Sequence, residues 1–138
     1  MSVREVIVRQ ITQEVQFRET SGGPECGALA VLAVDFEGKA SISTLTLLPL
    51  KAEVKEVKYG SQLFTASFSR YGDGWAAVFP RLNPGNYEVT TIFKKLKASY
   101  DPKDKQTVSV FSGNVAIVDY TDYRRLPGYD SMYKAIGS

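Results

Sequence analysis

The side chains that most often carry out catalysis are almost missing from this chain. Its 138 residues include no histidine and a single cysteine, Cys26. Histidine is the commonest general base and metal ligand, so its absence excludes Ser-His-Asp and Cys-His arrangements. Cys26 follows an acidic residue, Glu25, rather than the basic neighbour that activates a thiol. We therefore interpret Cys26 as a small residue near a loop.

Carboxylates are the remaining candidates for chemistry. Asp101 with Asp104, and Asp119 with Asp122, each flank a short segment in the manner of calcium loops. Both pairs have lysine or arginine close by, which gives the local charge the wrong sign for a cation. The chain has no P-loop, G-x-G-x-x-G or H-E-x-x-H motif. The sequence predicts no catalytic residues, no metal site and no cofactor, and an enzyme is the least favoured class.

The tail, residues 121–138, has a different composition and is the strongest candidate for binding another protein. Tyrosine and arginine are enriched at interface hot spots, and this end of the chain concentrates both. The predicted partner-binding residues are Tyr120, Tyr123, Arg124, Arg125, Leu126, Tyr129, Met132 and Tyr133. Such a segment packs either on its own domain or on another chain, and the sequence leaves both open.

Carbohydrate binding is the alternative, because sugars require exposed aromatic faces beside polar groups. The candidates are Trp75, Tyr59, Tyr71 and Tyr100. Trp75 opens an alternating strand, which favours a place in the core over a place at a ligand site.

Nucleic acid is an unlikely partner. Lysines do gather between the last strands, at Lys94, Lys95, Lys97, Lys103 and Lys105, with Tyr100 among them. However, the net charge is only +2, and lysine on an edge strand more often blocks unwanted pairing.

Bulky side chains recur with a period of two through much of the chain, which predicts β-strands. Trp75, Ala77 and Phe79 share one face of a strand, and Tyr87, Val89 and Phe93 share one face of the next. Pro84-Gly85 between them suits a type II turn, so we predict a hairpin. Residues 106–111 and 114–119 predict a second hairpin across Ser112-Gly113-Asn114.

Other segments predict further strands. Ala28–Phe36 is apolar throughout, as in a strand covered on both faces, with a buried helix as the alternative. Residues 39–50 and 62–70 predict strands, and residues 51–59 predict a short strand or an exposed turn-rich segment, with one short helix as the alternative. Val3–Gln10 mixes β-branched and charged residues and predicts a strand in an N-terminal arm, which a Gly-Gly-Pro loop separates from the main body.

A family resemblance attaches to the predicted hairpins. Phe79, Leu82, Pro84-Gly85, Tyr87 and Val89 are spaced as in the F-x-x-L-x-P-G-x-Y-x-V hairpin of transthyretin-like, or prealbumin-like, domains. The segment from Val108 to Gly113 is similar to the closing V-x-V-x-x-G strand of that group. The resemblance covers about residues 60–120. It implies a β-sandwich of the kind found in carboxypeptidase regulatory-like domains and some starch-binding modules, and it implies no single function.

We therefore predict an all-β protein: a single antiparallel β-sandwich, transthyretin-like or immunoglobulin-like, with an irregular or short-helical C-terminal tail. The sandwich spans residues 1–120, with 1–20 as a possible arm, and the tail spans 121–138. The predicted function is a non-catalytic assembly or accessory subunit that binds other proteins or copies of itself through its tail and N-terminal arm. No apolar run is long enough for a membrane span, and no signal peptide is visible, so a cytoplasmic location is the default expectation.

Overall fold

The computed structural model describes residues 3–15, 26–33, 47–58, 62–72, 74–95 and 103–120. These residues form one helix and eight strands. In chain order they are α1 Val3–Val15, β1 Gly27–Leu32, β2 Leu47–Glu56, β3 Leu63–Ser67, β4 Ser69–Tyr71, β5 Gly74–Leu82, β6 Gly85–Lys95, β7 Lys103–Val110 and β8 Val115–Asp119.

The strands make two four-stranded sheets packed as a sandwich, which confirms the predicted fold class. Sheet A has the order β4-β5-β1-β8, and sheet B has the order β3-β2-β6-β7. All neighbours are antiparallel except β1 and β8, which pair in parallel from Ala28 opposite Val115 to Leu32 opposite Asp119. The first and last described strands of the sandwich therefore lie side by side.

The main core fills the space between the sheets. Alternate residues of β5, Ala77 and Phe79, meet Tyr87, Val89 and Phe93 of β6 there, as the period of two predicts. β1 is buried along its whole length, so the predicted strand covered on both faces is confirmed for residues 27–32. Residues 51–56 are part of β2, and the helical alternative for them is wrong.

The N-terminal segment is a helix, so the predicted strand at Val3–Gln10 is wrong. Valine and isoleucine favoured a strand by type, but Ile7, Ile11 and Val15 recur every four residues and share one helical face. Ile7 and Ile11 are fully buried against Ala30, Leu32 and Ala76 on the outer face of sheet A. The apolar spacing outweighs the β-branched composition because burial of that face on the sheet stabilises the helix.

Helix α1 crosses sheet A from one edge to the other. Near its start Arg4 forms an ion pair with Asp119 on β8, and near its end Glu14 accepts a 2.8 Å hydrogen bond from the Tyr71 hydroxyl on β4. A helix of this length spans about 20 Å and three strand spacings about 14 Å, so one helix reaches both edge strands. The N-terminal segment therefore covers its own sheet and does not extend as a free arm.

Neither predicted hairpin pairs with itself. β5 lies in sheet A and β6 in sheet B, and the same is true of β8 and β7. Gly85 has a φ of 157°, far from the value of about +80° that a type II turn needs. Both short connections are arches that carry the chain from one sheet to the other. Alternation predicted the four strands correctly but not their partners.

The second arch presses on the start of β1. The Gly113 amide donates to the Cys26 carbonyl at 2.9 Å, and the Ala28 amide donates to the Asn114 carbonyl at 3.0 Å. A Cβ atom on Gly27 would lie 2.7 Å from Cγ1 of Val110 and closer still to the Phe111 carbonyl oxygen. Only glycine allows the arch to approach β1 this closely.

Prolines mark irregularities in the strands. Pro49 lies at a register shift within β2, and Pro80 lies where the pairing of β5 with β1 shifts between Leu29 and Gly27. The ladder is interrupted at Pro80 because proline has no amide hydrogen to donate.

Candidate functional site

Strand β3 is an edge of sheet B, and the described residues contain no strand that pairs with its outer side. On its inner side it pairs with β2 from Lys51 opposite Ser67 to Lys55 opposite Leu63. Its sequence, Leu-Phe-Thr-Ala-Ser, carries no charge and no proline. An edge strand presents unpaired backbone N–H and C=O groups, which are ready to pair with another chain.

Several exposed large apolar side chains lie on β3 or near the ends of the neighbouring strand β2. Six such side chains are exposed in the described residues, and four belong to β3 or to the neighbouring stretch of β2 and the residue after it: Leu50, Val57, Leu63 and Phe64. Their exposed fractions run from 36% for Phe64 to 59% for Val57. Leu63 and Phe64 lie on opposite faces of β3, and Leu50 and Val57 lie near opposite ends of β2, so the four do not form one patch. Single exposed apolar residues need no explanation, and those that bear on pairing are Leu63 and Phe64 on the edge strand itself.

Phe64 and Ala66 point towards the interior, while Leu63, Thr65 and Ser67 point away from it. The register decides this, because Phe64 lies opposite Val54 and Ala66 lies opposite Ala52, both of which are core residues. Ala66 and Phe68 accordingly pack with the main core. Phe68 is buried, but Phe64 keeps 36% of its surface exposed, and no further strand in the described part of the chain covers it.

β7, at the other edge of sheet B, has the protection that β3 lacks. Lys103 and Lys105 lie on its outer face, and Lys105 is 3.9 Å from the Glu88 carboxylate. Asp104 points inward, because it lies opposite Thr91, whose side chain is buried in the sandwich. Edge lysines and inward charges are both known devices against edge-to-edge pairing.

Asp104 belongs to a polar cluster at the β7 side of the core. It accepts a hydrogen bond from the Tyr120 hydroxyl, and the Gln106 amide donates to the same hydroxyl at 2.9 Å. Thr91 lies beside this cluster with its hydroxyl buried and without a hydrogen bond of ordinary geometry. The Tyr120 ring meets Phe93 edge-on, with ring centres 5.4 Å apart.

Burial and the bond to Asp104 raise the pKa of Tyr120 to about 12. Burial and the hydrogen bond to Glu14 raise the pKa of Tyr71 to about 12 as well. Both phenols therefore stay protonated through the physiological range. They are structural hydrogen-bond donors, one at each side of the sandwich.

A cleft of about 420 Å³ opens at the end of the sandwich beside the start of β3. It is lined by Glu56, Gln62, Phe64, Arg81, Leu82, Asn83 and Tyr87. The Tyr87 hydroxyl donates to the Asn83 carbonyl at 2.7 Å, which ties the β5–β6 arch to β6. Burial, with a smaller contribution from Glu56, raises the pKa of Tyr87. The cleft has the volume of a small-molecule site, with one partly exposed ring among polar side chains.

The predicted partner-binding residues mostly lie outside the described part of the chain. This holds for Tyr123, Arg124, Arg125, Leu126, Tyr129, Met132 and Tyr133. Tyr120 is described, and the structure places it in the core of its own domain, with 7% of its surface exposed. Its amide donates to the Leu32 carbonyl at 2.8 Å, which continues the β8–β1 pairing. Tyr120 is thus a core residue of its own domain and presents little surface to a partner.

The predicted carbohydrate residues do not form one aromatic platform. Tyr59 and Tyr100 lie outside the described residues. Trp75 packs against the main core with the Arg70 guanidinium over its ring at 5.3 Å. In the β4–β5 ladder Trp75 lies opposite Arg70, and Tyr71 is the next residue after Arg70. Tyr71 therefore points to the opposite face of the sheet, where it packs under helix α1. Adjacent positions on a strand face opposite sides, and these two rings cannot bind one ligand together.

Cys26, Asp104 and Asp119 each lie in a different local environment. Cys26 is half-buried at the start of β1, and Asp104 and Asp119 are engaged by Tyr120 and Arg4. Asp101 and Asp122 lie outside the described residues. Across the described ranges, no group of three histidine, cysteine, aspartate or glutamate side chains is placed to hold a metal ion.

The β3 edge and the cleft were missed by sequence reasoning, although one signal was present. From Tyr59 to Ser69 the chain has no charged residue, whereas charges flank this stretch at Lys58 and Arg70. A strand without charged residues is usually predicted to lie in the middle of a sheet. Only the topology shows that this one is an edge.

The chain matches no protein-family model, no curated protein and no solved structure. The only helix among the described residues is too short and too polar to cross a membrane. The β3 edge and the cleft are therefore the features of the described residues that bear on function.

Proposed function

We propose that this protein is a non-catalytic assembly or accessory subunit that binds other proteins or copies of itself by adding a strand to the β3 edge. The observation that carries the proposal is the contrast between two edges of one sheet: β3 has no charge and no described strand on its outer side, whereas β7 carries lysines. In strand addition, backbone hydrogen bonds supply affinity and alternating side chains supply specificity.

The β3 edge replaces the N-terminal arm in this role. Residues 3–15 are engaged as a helix on sheet A, so they are not free to add as a strand elsewhere. The tail remains part of the proposal, since its tyrosines and arginines extend beyond Tyr120 and would enlarge an interface that five residues of β3 alone keep small.

The transthyretin-like alternative is the fold that we propose within the sandwich class. In an immunoglobulin constant-type sandwich the first two strands pair within one sheet. Here β1 pairs with β5 and β8, while β2 pairs with β3 and β6 in the opposite sheet. Among the described strands, this order departs from immunoglobulin constant-type pairing, and that departure is our reason to prefer the transthyretin-like alternative.

Site-specific photo-crosslinking in the native host tests the proposed function. A benzophenone amino acid replaces Thr65 on β3 in one variant and Thr107 on β7 in the matched control, since both threonines are exposed on edge strands of sheet B. We expect a discrete protein adduct at position 65 and none at position 107. The absence of any adduct at position 65, or equal adducts at both positions, would overturn the proposal.

A small-ligand site, with carbohydrate as the first class to try, is the second candidate, and the cleft favours it. Phe64 offers part of a ring face, and Glu56, Gln62, Arg81 and Asn83 offer polar groups around it. A glycan array with wild type, Arg81→Ala and Trp75→Ala variants tests this candidate. Binding that is lost with Arg81→Ala and kept with Trp75→Ala supports the cleft; no binding by the wild type counts against it.

A further inference from the structure

We propose that the occupant of the β3 edge is β3 of a second copy, in an antiparallel pair centred on Thr65. This inference rests on the proposed function and names its partner. The pairing joins two four-stranded B sheets into one continuous sheet of two copies.

The strand is complementary to itself in that register. In an antiparallel pair centred on Thr65, Leu63 faces Ser67 of the copy, Phe64 faces Ala66 of the copy, and Thr65 faces its own equivalent. Each bulky residue therefore meets a small one on the same face of the sheet. The central Thr–Thr pair is a favourable cross-strand pair. Phe64, which is 36% exposed in the single chain, gains a neighbour on its open side.

Charges permit this pairing. β3 has none, and the nearest charged row on the same face is Lys51, Glu53 and Lys55 of β2. In the pair, β2 of one copy and β2 of the other are three strand spacings apart, about 14 Å, which exceeds the Debye length of about 8 Å at physiological salt. Pairing β7 with its own copy would instead bring Lys103 and Lys105 of two chains to one seam.

Pairing of β3 with β3 of a second copy is also favoured because it gives an assembly that closes at two copies. A two-fold pair uses the same surface on both copies and leaves no β3 edge free, so assembly stops at two. Pairing β3 with β7 of another copy would be head-to-tail and would grow into a filament. The lysines and the inward Asp104 of β7 act against that outcome.

Charge swapping at the two-fold position is the sharpest test. Thr65 is exposed on the outer face, so Thr65→Lys and Thr65→Glu leave the core intact, which thermal unfolding of each variant verifies. Sedimentation velocity of the purified full chain should show a concentration-dependent dimer for wild type. Each variant alone should dimerise about tenfold more weakly or worse, since like charges then face each other. An equimolar mixture of the two variants should recover a dimer.

Thr107→Lys and Thr107→Glu, on the outer face of β7, are the matched controls and should leave dimerisation unchanged. A wild type that is monomeric at all concentrations, or a mixture that stays monomeric, overturns the inference. The proposed function fails separately: an adduct at position 65 with a different protein, beside a monomeric pure chain, removes the self-pairing and keeps strand addition.

Disulfide trapping provides a second measurement on the register. In a Cys26→Ser background with an added oxidant such as copper–phenanthroline, which accepts the two electrons and two protons of the thiol pair, Thr65→Cys should form a covalent dimer. Directly opposed Cβ atoms lie about 4.5–5.5 Å apart, so only a small adjustment reaches the roughly 3.5–4.5 Å of a disulfide. Thr107→Cys in the same background should remain monomeric. A covalent dimer from Thr107→Cys with none from Thr65→Cys would contradict the pairing.

Discussion

The two edges of sheet B are built in opposite ways. β7 carries lysines outside and an aspartate inside, and the aspartate is held by a buried tyrosine. β3 carries no charge at all and leaves Leu63 and Phe64 exposed. The two strands belong to one sheet and border the same core, so the difference is not imposed by the fold. On our proposal, β7 is the edge protected against pairing and β3 is the edge that accepts a partner strand.

The same contrast continues at the shared end of the sandwich. On the β7 side, the second arch packs so closely on β1 that Gly27 has no room for a side chain. On the β3 side, the first arch borders an open cleft between Glu56 and Arg81. The β7 side is closed and tightly packed, while the β3 side has unfilled space next to an edge strand.

The largest expected effect compares one phenylalanine from each side. Phe93 is 1% exposed and meets the Tyr120 ring, so Phe93→Ala should cost about 3–5 kcal/mol of unfolding free energy. Phe64→Ala should cost about half of that or less, because much of its ring is already exposed. Urea denaturation of dilute protein measures both changes, and equal losses would show that the β3 side is packed as well as the β7 side.

A methyl group at Gly27 should break the close packing of the β7 side. Gly27→Ala places a Cβ against the Val110 side chain and the Phe111 carbonyl, so we expect a loss of about 1–3 kcal/mol from overpacking. Denaturation midpoints of the variant and wild type measure it. A neutral substitution would mean that the arch shifts freely and is not a tight closure.

Removal of the Tyr120 hydroxyl should weaken the polar cluster that holds Asp104. Tyr120→Phe keeps the ring on Phe93 and loses the bonds with Asp104 and Gln106, at a cost of about 1–2 kcal/mol near neutral pH. An unchanged unfolding free energy would show that water replaces the hydroxyl without loss.

The same phenol and Tyr71 should set the alkaline limit of stability. Each has a folded pKa of about 12 against an ordinary value of 10.0, so the folded state keeps protons that the unfolded chain loses. Their contribution is complete below pH 10 and is lost as the pH rises towards 12. Tyr120→Phe and Tyr71→Phe should each flatten this decline in a series of denaturation curves, and a decline that neither variant changes would exclude these two phenols as its cause.

Helix α1 shows why composition misled the sequence analysis. Valine and isoleucine predicted a strand, yet the spacing of Ile7, Ile11 and Val15 was already that of a helix face. What decides the structure is the outer face of sheet A. This face is apolar at Ala30, Leu32 and Ala76, so burying it under a helix is favourable. That face arises from residues far away in the chain, so a local pattern does not reveal it.

The strands themselves were predictable and their partners were not. Alternating side chains located β5, β6, β7 and β8, because a period of two depends only on which face is buried. A short turn between two strands, however, fits either a hairpin within one sheet or an arch between two. The β3 edge stayed hidden for the same reason, since the absence of charge from Tyr59 to Ser69 is equally typical of a central strand.

The smallest effect on stability should come from the lysines of β7. Lys103→Thr with Lys105→Thr should change the unfolding free energy by less than about 0.5 kcal/mol, since surface charges contribute little. It should, however, give β7 the character of β3 and produce association beyond the dimer in sedimentation runs. If the double variant behaves like wild type at high concentration, charge is not what keeps β7 unpaired.

Amide hydrogen exchange at the two edges, followed as a function of protein concentration, tests the central claim most directly. In residues 63–67 the amides that point away from β2 should exchange quickly in dilute protein and slowly in concentrated protein, while those at the free side of β7 exchange at a constant rate. Exchange in β3 that does not depend on concentration, or slowing confined to β7, would contradict the account.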